Sequence, residues 1–184
     1  GATVSSIIVS HFSDPDASLS GANFTLGGIA IVGNLADSAT QGVWQYKESA
    51  SSSWVTIDSG VLAPSDTSAL LLSTSSLLRF LPNVANYNGS PGALTIRASD
   101  QDVTFSASTD ISAHIGVTET WSSTSALSTT VTAVNDAPSI SGLDSTSINA
   151  TSANPYIQGG SAVVIDPNAV LIDQELSIER NNWN

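Results

Sequence analysis

The last 25 residues of this chain read as a second copy of its first 25. A long internal repeat constrains architecture more than any other single feature. Placing Gly160 under Gly1, an offset of 159 residues, aligns Val163 with Val4, Asp173 with Asp14, Ser177 with Ser18 and Asn182 with Asn23. Leu171 then falls on Phe12, Glu175 on Asp16, Ile178 on Leu19 and Trp183 on Phe24. The matches sit on apolar positions and on an acidic pair, where packing and charge restrict substitution. The chain therefore reads as a window on a tandem array. Residues 1–134 are the later part of one module, 135–140 a connector, and 141–184 the opening strands of the next.

Within the first module, short apolar or alternating runs are punctuated by Gly, Asn, Asp and Ser at the spacing of sandwiches and barrels. The pattern predicts strands at Val4–Val9, Gly28–Val32, Val43–Tyr46, Trp54–Ile57, Leu77–Leu81, Leu94–Ala98 and Thr129–Val134. Trp44 and Tyr46 alternate with Val43 and Gln45, and Leu94, Ile96 and Ala98 alternate with Thr95 and Arg97. A period of two puts one side of each strand in a core. The polar turn Ser49–Ser53 makes the two Trp-bearing strands around it a hairpin. Ser68–Leu72 fits either a helical turn or a strand. No segment carries a sustained helical stripe, and Ser plus Thr total 50 of 184 residues, poor material for helices. The expected fold is all-β, an antiparallel β-sandwich. At Val134-Asn135-Asp136-Ala137-Pro138 the β-rich run ends, and Pro138 biases Ala137 towards extended geometry, as suits a stiff connector.

Charge narrows the partners. Four basic residues face sixteen acidic ones, for a net charge of −12. Nucleic-acid affinity rests on cations that neutralise phosphates, so a nucleic-acid binder is excluded. Docking to an anionic membrane is disfavoured for the same reason, and no run of about 20 apolar residues suggests insertion. The chain has no Cys, so stability outside a cell rests on a core or on metal ions.

The acids cluster where strands end. Asp14-Pro15-Asp16 follows the first predicted strand, Asp100-Gln101-Asp102 follows Leu94–Ala98, and Asn135-Asp136 lies in the connector. Asp173-Gln174-Glu175 repeats the first pair. Calcium takes six to eight oxygen ligands, and carboxylates two apart at a turn can converge on one ion. The competing expectation is that such pairs cap turns. The EF-hand loop spacing is absent. Metal candidates are thus Asp14, Asp16, Asp100, Asp102, Asn135, Asp136, Asp173 and Glu175, with Ca²⁺ as the ion.

Catalytic signals are weak. His11 and His114 lack the H-E-x-x-H spacing of a zinc protease, and there is no G-x-S-x-G elbow. Asp14 and Asp16 lie too close in sequence to flank a sugar from opposite faces. Trp44 and Trp54 read as core residues of the hairpin. Trp121 and Trp183, in polar surroundings, read as contacts for a ligand or a neighbour.

Taken together, several segments resemble the long cadherin-like repeats of giant bacterial surface proteins, the large repetitive adhesins of RTX type. They are Phe12-Ser13-Asp14-Pro15-Asp16, Gly28-Ile29-Ala30-Ile31, Gly42-Val43-Trp44-Gln45-Tyr46 and Ala69-Leu70-Leu71-Leu72. The series continues through Leu78-Arg79-Phe80-Leu81-Pro82, Leu94–Asp100 and Val131–Pro138. Two departures stand out: Ser99 where the family has Trp, and His114–Ser123 in place of a Gly-rich stretch. The resemblance implies a calcium-stiffened sandwich in a bacterial surface or extracellular array, with a role in adhesion or scaffolding. It points to Asp14, Asp16, Asp100, Asn135 and Asp136 as ion-site positions. The expected function is a non-catalytic structural repeat whose partners are neighbouring repeats or identical chains. Residues 135–184 of one chain would complete 1–134 of the next, head to tail, by strand addition. The alternative is a carbohydrate-binding module of a secreted protein, contacting a polysaccharide or cell surface through an exposed aromatic.

Overall fold

The computed structural model describes residues 1–13, 25–57, 64–101, 103–116, 120–142, 158–161 and 168–173. The chain divides into two compact units, Gly1–Ala133 and Val134–Asn184. The first unit is an antiparallel β-sandwich. One sheet has four strands: β1 (Ala2–Thr3), β3 (Gly42–Lys47), β4 (Val55–Thr56) and β6 (Leu77–Pro82), in the order β1-β6-β3-β4. The other has five: β2 (Gly28–Asn34), β5 (Ala69–Ser73), β7 (Leu94–Ser99), β8 (Ser106–Thr109) and β9 (Ser125–Leu127), in the order β8-β5-β2-β7-β9.

Alternation builds the core between the sheets. Ile29 and Ile31 of β2 pair across with Leu72 and Leu70 of β5, and with Ala98 and Ile96 of β7. Trp44 and Tyr46 of β3 and Leu78 of β6 meet them from the four-stranded sheet in one hydrophobic cluster. Trp44 packs edge-on against Phe80 at 5.5 Å between ring centroids, and Tyr46 stacks on Phe105 at 5.8 Å. The indole N–H of Trp44 donates to the Gly92 carbonyl at 2.8 Å, so burying this ring strands no donor. Gly92 has no room for a side chain: a Cβ there would run into the Leu35 carbonyl.

The five-stranded sheet is covered on its other face too. Ala30 and Ala69, which point away from the main core, pack with Ile111 and Trp121, and Val32, Leu71, Val103 and Ile115 lie against them. This is why β2 reads as an unbroken apolar run rather than an alternating one.

Two segments differ from expectation, and one that the sequence left open is decided. Val4–Ile8 is a short α-helix (α1), continued by a 3-10 turn at Val9–His11, not a strand. Its β-branched residues have strand propensity. The Thr3 hydroxyl nevertheless accepts from the Ser6 amide at 3.2 Å as a helix cap. Val4 and Ile8, one helical turn apart, are both buried in the main core. Ser68–Leu72 resolves as strand β5. Thr129–Val134 is not a strand; only Val131 bridges, exchanging two 2.9 Å backbone bonds with Gly89.

In the second unit, Ser139–Ser141 (β10) and Val170–Ile172 (β11) form an antiparallel pair with Ile140 opposite Leu171. Both strands are exposed along their length: Ile140 keeps 59% of its surface in water, Leu171 67% and Ile172 53%.

Candidate functional site

The acidic positions come first, because the sequence points to them. Asp14, Asp16, Asp102 and Glu175 lie outside the described residues, so each of the three acidic pairs lacks at least one described member. Asp100 follows the last residue of β7 and is partly exposed. There the Ser99 hydroxyl folds back to accept from the Gln101 amide at 3.1 Å. Asn135 and Asp136 are exposed, and the Asn135 side-chain amide donates to the Asp136 carbonyl at 3.1 Å. Asp173 follows β11. Among the described residues, no three His, Asp or Glu side chains gather into a group able to hold a metal ion.

Other acids serve as local caps. Asp37 accepts from the Ala39 amide at 2.8 Å and the Thr40 hydroxyl at 2.7 Å. Asp110 takes the Ser112 amide at 3.0 Å and its hydroxyl at 2.7 Å. Hydrogen bonds to the ionised form lower both pKa values, led by the Thr40 hydroxyl for Asp37 and the Ser112 hydroxyl for Asp110.

A groove of about 540 Å³ opens on the first unit between the N-terminal segment and the β9 edge. Ile7, Ile8 and Phe12 line one side, Ile96, Ala98 and Leu127 the other, and the hydroxyls of Ser122, Ser123 and Ser128 rim it. His11 is the one titratable side chain among its lining residues. β9 pairs with β7 in the register Leu94 to Leu127, and no further strand pairs with it among the described residues.

Trp121 overturns an expectation. It is 5% exposed, sealed onto the five-stranded sheet by Ile111 and Ala69, and offers no platform to a ligand. Its neighbour in space is an ion pair the sequence reading missed. Arg97 on β7, 9% exposed, donates from Nε and Nη2 to the two carboxylate oxygens of Asp66 at 2.8 and 2.9 Å. Its Nη1 donates to the Ser122 carbonyl at 2.8 Å. The signal was present: β2 is apolar on both faces, so a charged residue on the neighbouring strand, facing the same side as Ala30, must be buried and paired.

Among the described tryptophans the one that reaches the surface is Trp54, half-buried beside Lys47 and Arg79 on the four-stranded sheet. The Arg79 guanidinium lies 4.1 Å and the Lys47 ammonium 5.0 Å from its ring centroid. Arg79 is steadied by donating from Nε to Gln45 Oε1 at 2.9 Å. Arg97–Asp66 is the one salt bridge among the described residues, so this cationic spot has no described carboxylate against it.

The geometry defines a class: an antiparallel β-sandwich module that carries, among its described residues, a strand-edge groove and a small cationic aromatic patch. The chain matches no family model, no curated protein and no solved structure.

Proposed function

We propose that the chain is a non-catalytic structural repeat of a bacterial extracellular surface protein, adhesin or filament, stiffened by calcium and joined head to tail by strand addition. The observation that carries this reading is where the chain divides. The boundary between its compact units, Ala133 to Val134, coincides with the Asn-Asp-Ala-Pro connector, as in a module joined to the start of another. Asp100 after β7, Asp173 after β11 and the other acids of the sequence would supply the oxygen-rich chemistry calcium requires, and bound ions would cancel repulsion within a chain of net charge −12. The resemblance to cadherin-like surface repeats points the same way.

Thermal unfolding in millimolar calcium, in magnesium and in a chelator tests it. A site with Kd a hundredfold below free calcium adds about 2.7 kcal/mol, a rise in Tm of roughly 5–11 °C for a domain of this size. A calcium-specific rise of that order is the expected result. Equal Tm in all three buffers removes calcium from the proposal and returns the pairs to turn capping.

A second reading, a carbohydrate-binding module, is favoured by one observation, the Trp54 ring with Arg79 and Lys47 beside it. It predicts that a soluble acidic oligosaccharide changes the tryptophan emission of the wild type and not of Trp54→Ala. No change in either protein counts against it.

A further inference from the structure

We infer that the groove between His11–Ser13 and β9 is the acceptor for an added β-strand, and that its occupant is Ser139-Ile140-Ser141 of a second copy of this chain. The inference rests on the head-to-tail reading above and gives that reading a site.

Two independent relations meet at the groove. The first is the repeat: the 159-residue offset that aligns Gly160 with Gly1 places Val170-Leu171-Ile172 on His11-Phe12-Ser13. The second is the hairpin register of the second unit, where Ile140 of β10 lies opposite Leu171 of β11. Transposed by the same offset, a strand of β10's sequence lies alongside Phe12-Ser13, just past the 3-10 turn that ends at His11, with its isoleucine level with Phe12. That place is the groove.

The site has the properties such a strand needs. Phe12 has extended backbone, with φ −84° and ψ 129°, so its segment can pair with a neighbour. The opposite wall is β9, the end strand of its sheet, whose outer edge offers backbone donors and acceptors. The lining between them is apolar and includes Ile8 and Ile96. A Ser-Ile-Ser strand presents one apolar side chain inwards and two hydroxyls outwards, matching an apolar lining rimmed by serines. Pro138, with no amide proton, stops the pairing at Ser139.

The occupant has its own reason to dock. A two-stranded hairpin alone is marginal in water, and β10 and β11 expose Ile140, Val170, Leu171 and Ile172 together. Seating Ile140 in a partner's groove removes part of that apolar surface.

The test adds a synthetic peptide of residues 134–142 to the isotope-labelled full chain and follows amide shifts. The expected result is saturable binding, with shifts centred on residues 11–13 and 125–127. A peptide carrying Ile140→Asp should bind more than about tenfold more weakly, the loss expected on removing one buried isoleucine side chain. Equal binding of the two peptides, no binding by either, or shifts confined to other surfaces would overturn the inference. Sedimentation of the full chain against concentration separates it from the reading it rests on. If the peptide seats while the full chain remains a monomer at every concentration, the acceptor stands and head-to-tail assembly falls.

Discussion

Replacing Trp121 with alanine lowers the stability of the sandwich unit by about 3–5 kcal/mol and its Tm by roughly 10–20 °C. The indole is 5% exposed and fills the space over Ala30 and Ala69, two residues too small to close a cavity by rearranging. The backbone around it is also committed: the Trp121 amide donates to the His114 carbonyl at 3.0 Å and its carbonyl accepts from Gly116 at 3.0 Å. Loss of the ring leaves these bonds holding a segment with nothing beneath it. Calorimetry of the variant distinguishes this role from the ligand contact that the polar neighbourhood of Trp121 suggests. A ligand platform would lose binding and keep its Tm; a Tm within 2 °C of wild type, on the order of 0.5 kcal/mol, would contradict the packing account.

Asp66→Asn is expected to cost about 3 kcal/mol, and Arg97→Met distinctly less. The asymmetry follows from burial. Arg97 is 10% exposed at its side chain and Asp66 36%, so neutralising the acid leaves a buried cation with no counter-charge, held only by neutral acceptors such as the Ser122 carbonyl. Neutralising the cation leaves a carboxylate that water can reach. Equal losses in urea melts of the two variants would show that the difference in burial between the partners does not set the cost. The same pair sets an acid limb. The Arg97 guanidinium, by its hydrogen bonds first and its charge second, holds the Asp66 carboxyl below the usual carboxylate range against an opposing push from burial. A group with a depressed folded-state pKa contributes its stability above the unfolded value, about 3.9, and loses it as pH falls through the folded value. Asp37 and Asp110 contribute to the same limb. The difference between wild type and Asp66→Asn should therefore shrink as pH drops below about 4, and a difference that is constant from pH 7 to 2 would remove the ion pair as its source.

Much of the sandwich is legible in the sequence because alternation survives wherever one face meets the core. Val43–Tyr46 and Leu94–Ala98 are the plainest cases, and the hairpin around Ser49–Ser53 follows from a polar turn between two aromatic strands. Legibility fails where a residue's surroundings are set by distant chain. Val4–Ile8 carries strand-forming residues, yet a threonine cap and two buried contacts a turn apart make it helical. Ser106–Thr109 is short and mostly polar and Ser125–Leu127 has only three residues, and both become strands only because β5 and β7 have open edges to pair with. Trp121 looks exposed by its serine and threonine neighbours, and Arg97 looks solvent-facing by alternation. Both are buried because Val103, Ile111, Ile115 and Trp121 lie over the second face of the sheet. In the candidate site, the acidic pairs are conspicuous as letters, whereas the groove exists only through the meeting of Phe12 with β9, more than a hundred residues away.

The double covering of β2 has a consequence for how the unit comes apart. Ile29 and Ile31 belong to one core and Ala30 and Val32 to the other, within a single strand hydrogen-bonded on both sides. Neither core can loosen without disturbing a strand that the other shares, so the two melt as one cooperative body. The rim is different: β9, β4 and β1 are held by three, two and two residue pairs. Opening therefore starts at the rim while the centre stays shut. In this module, the backbone that opens first and the backbone that keeps the fold are different strands.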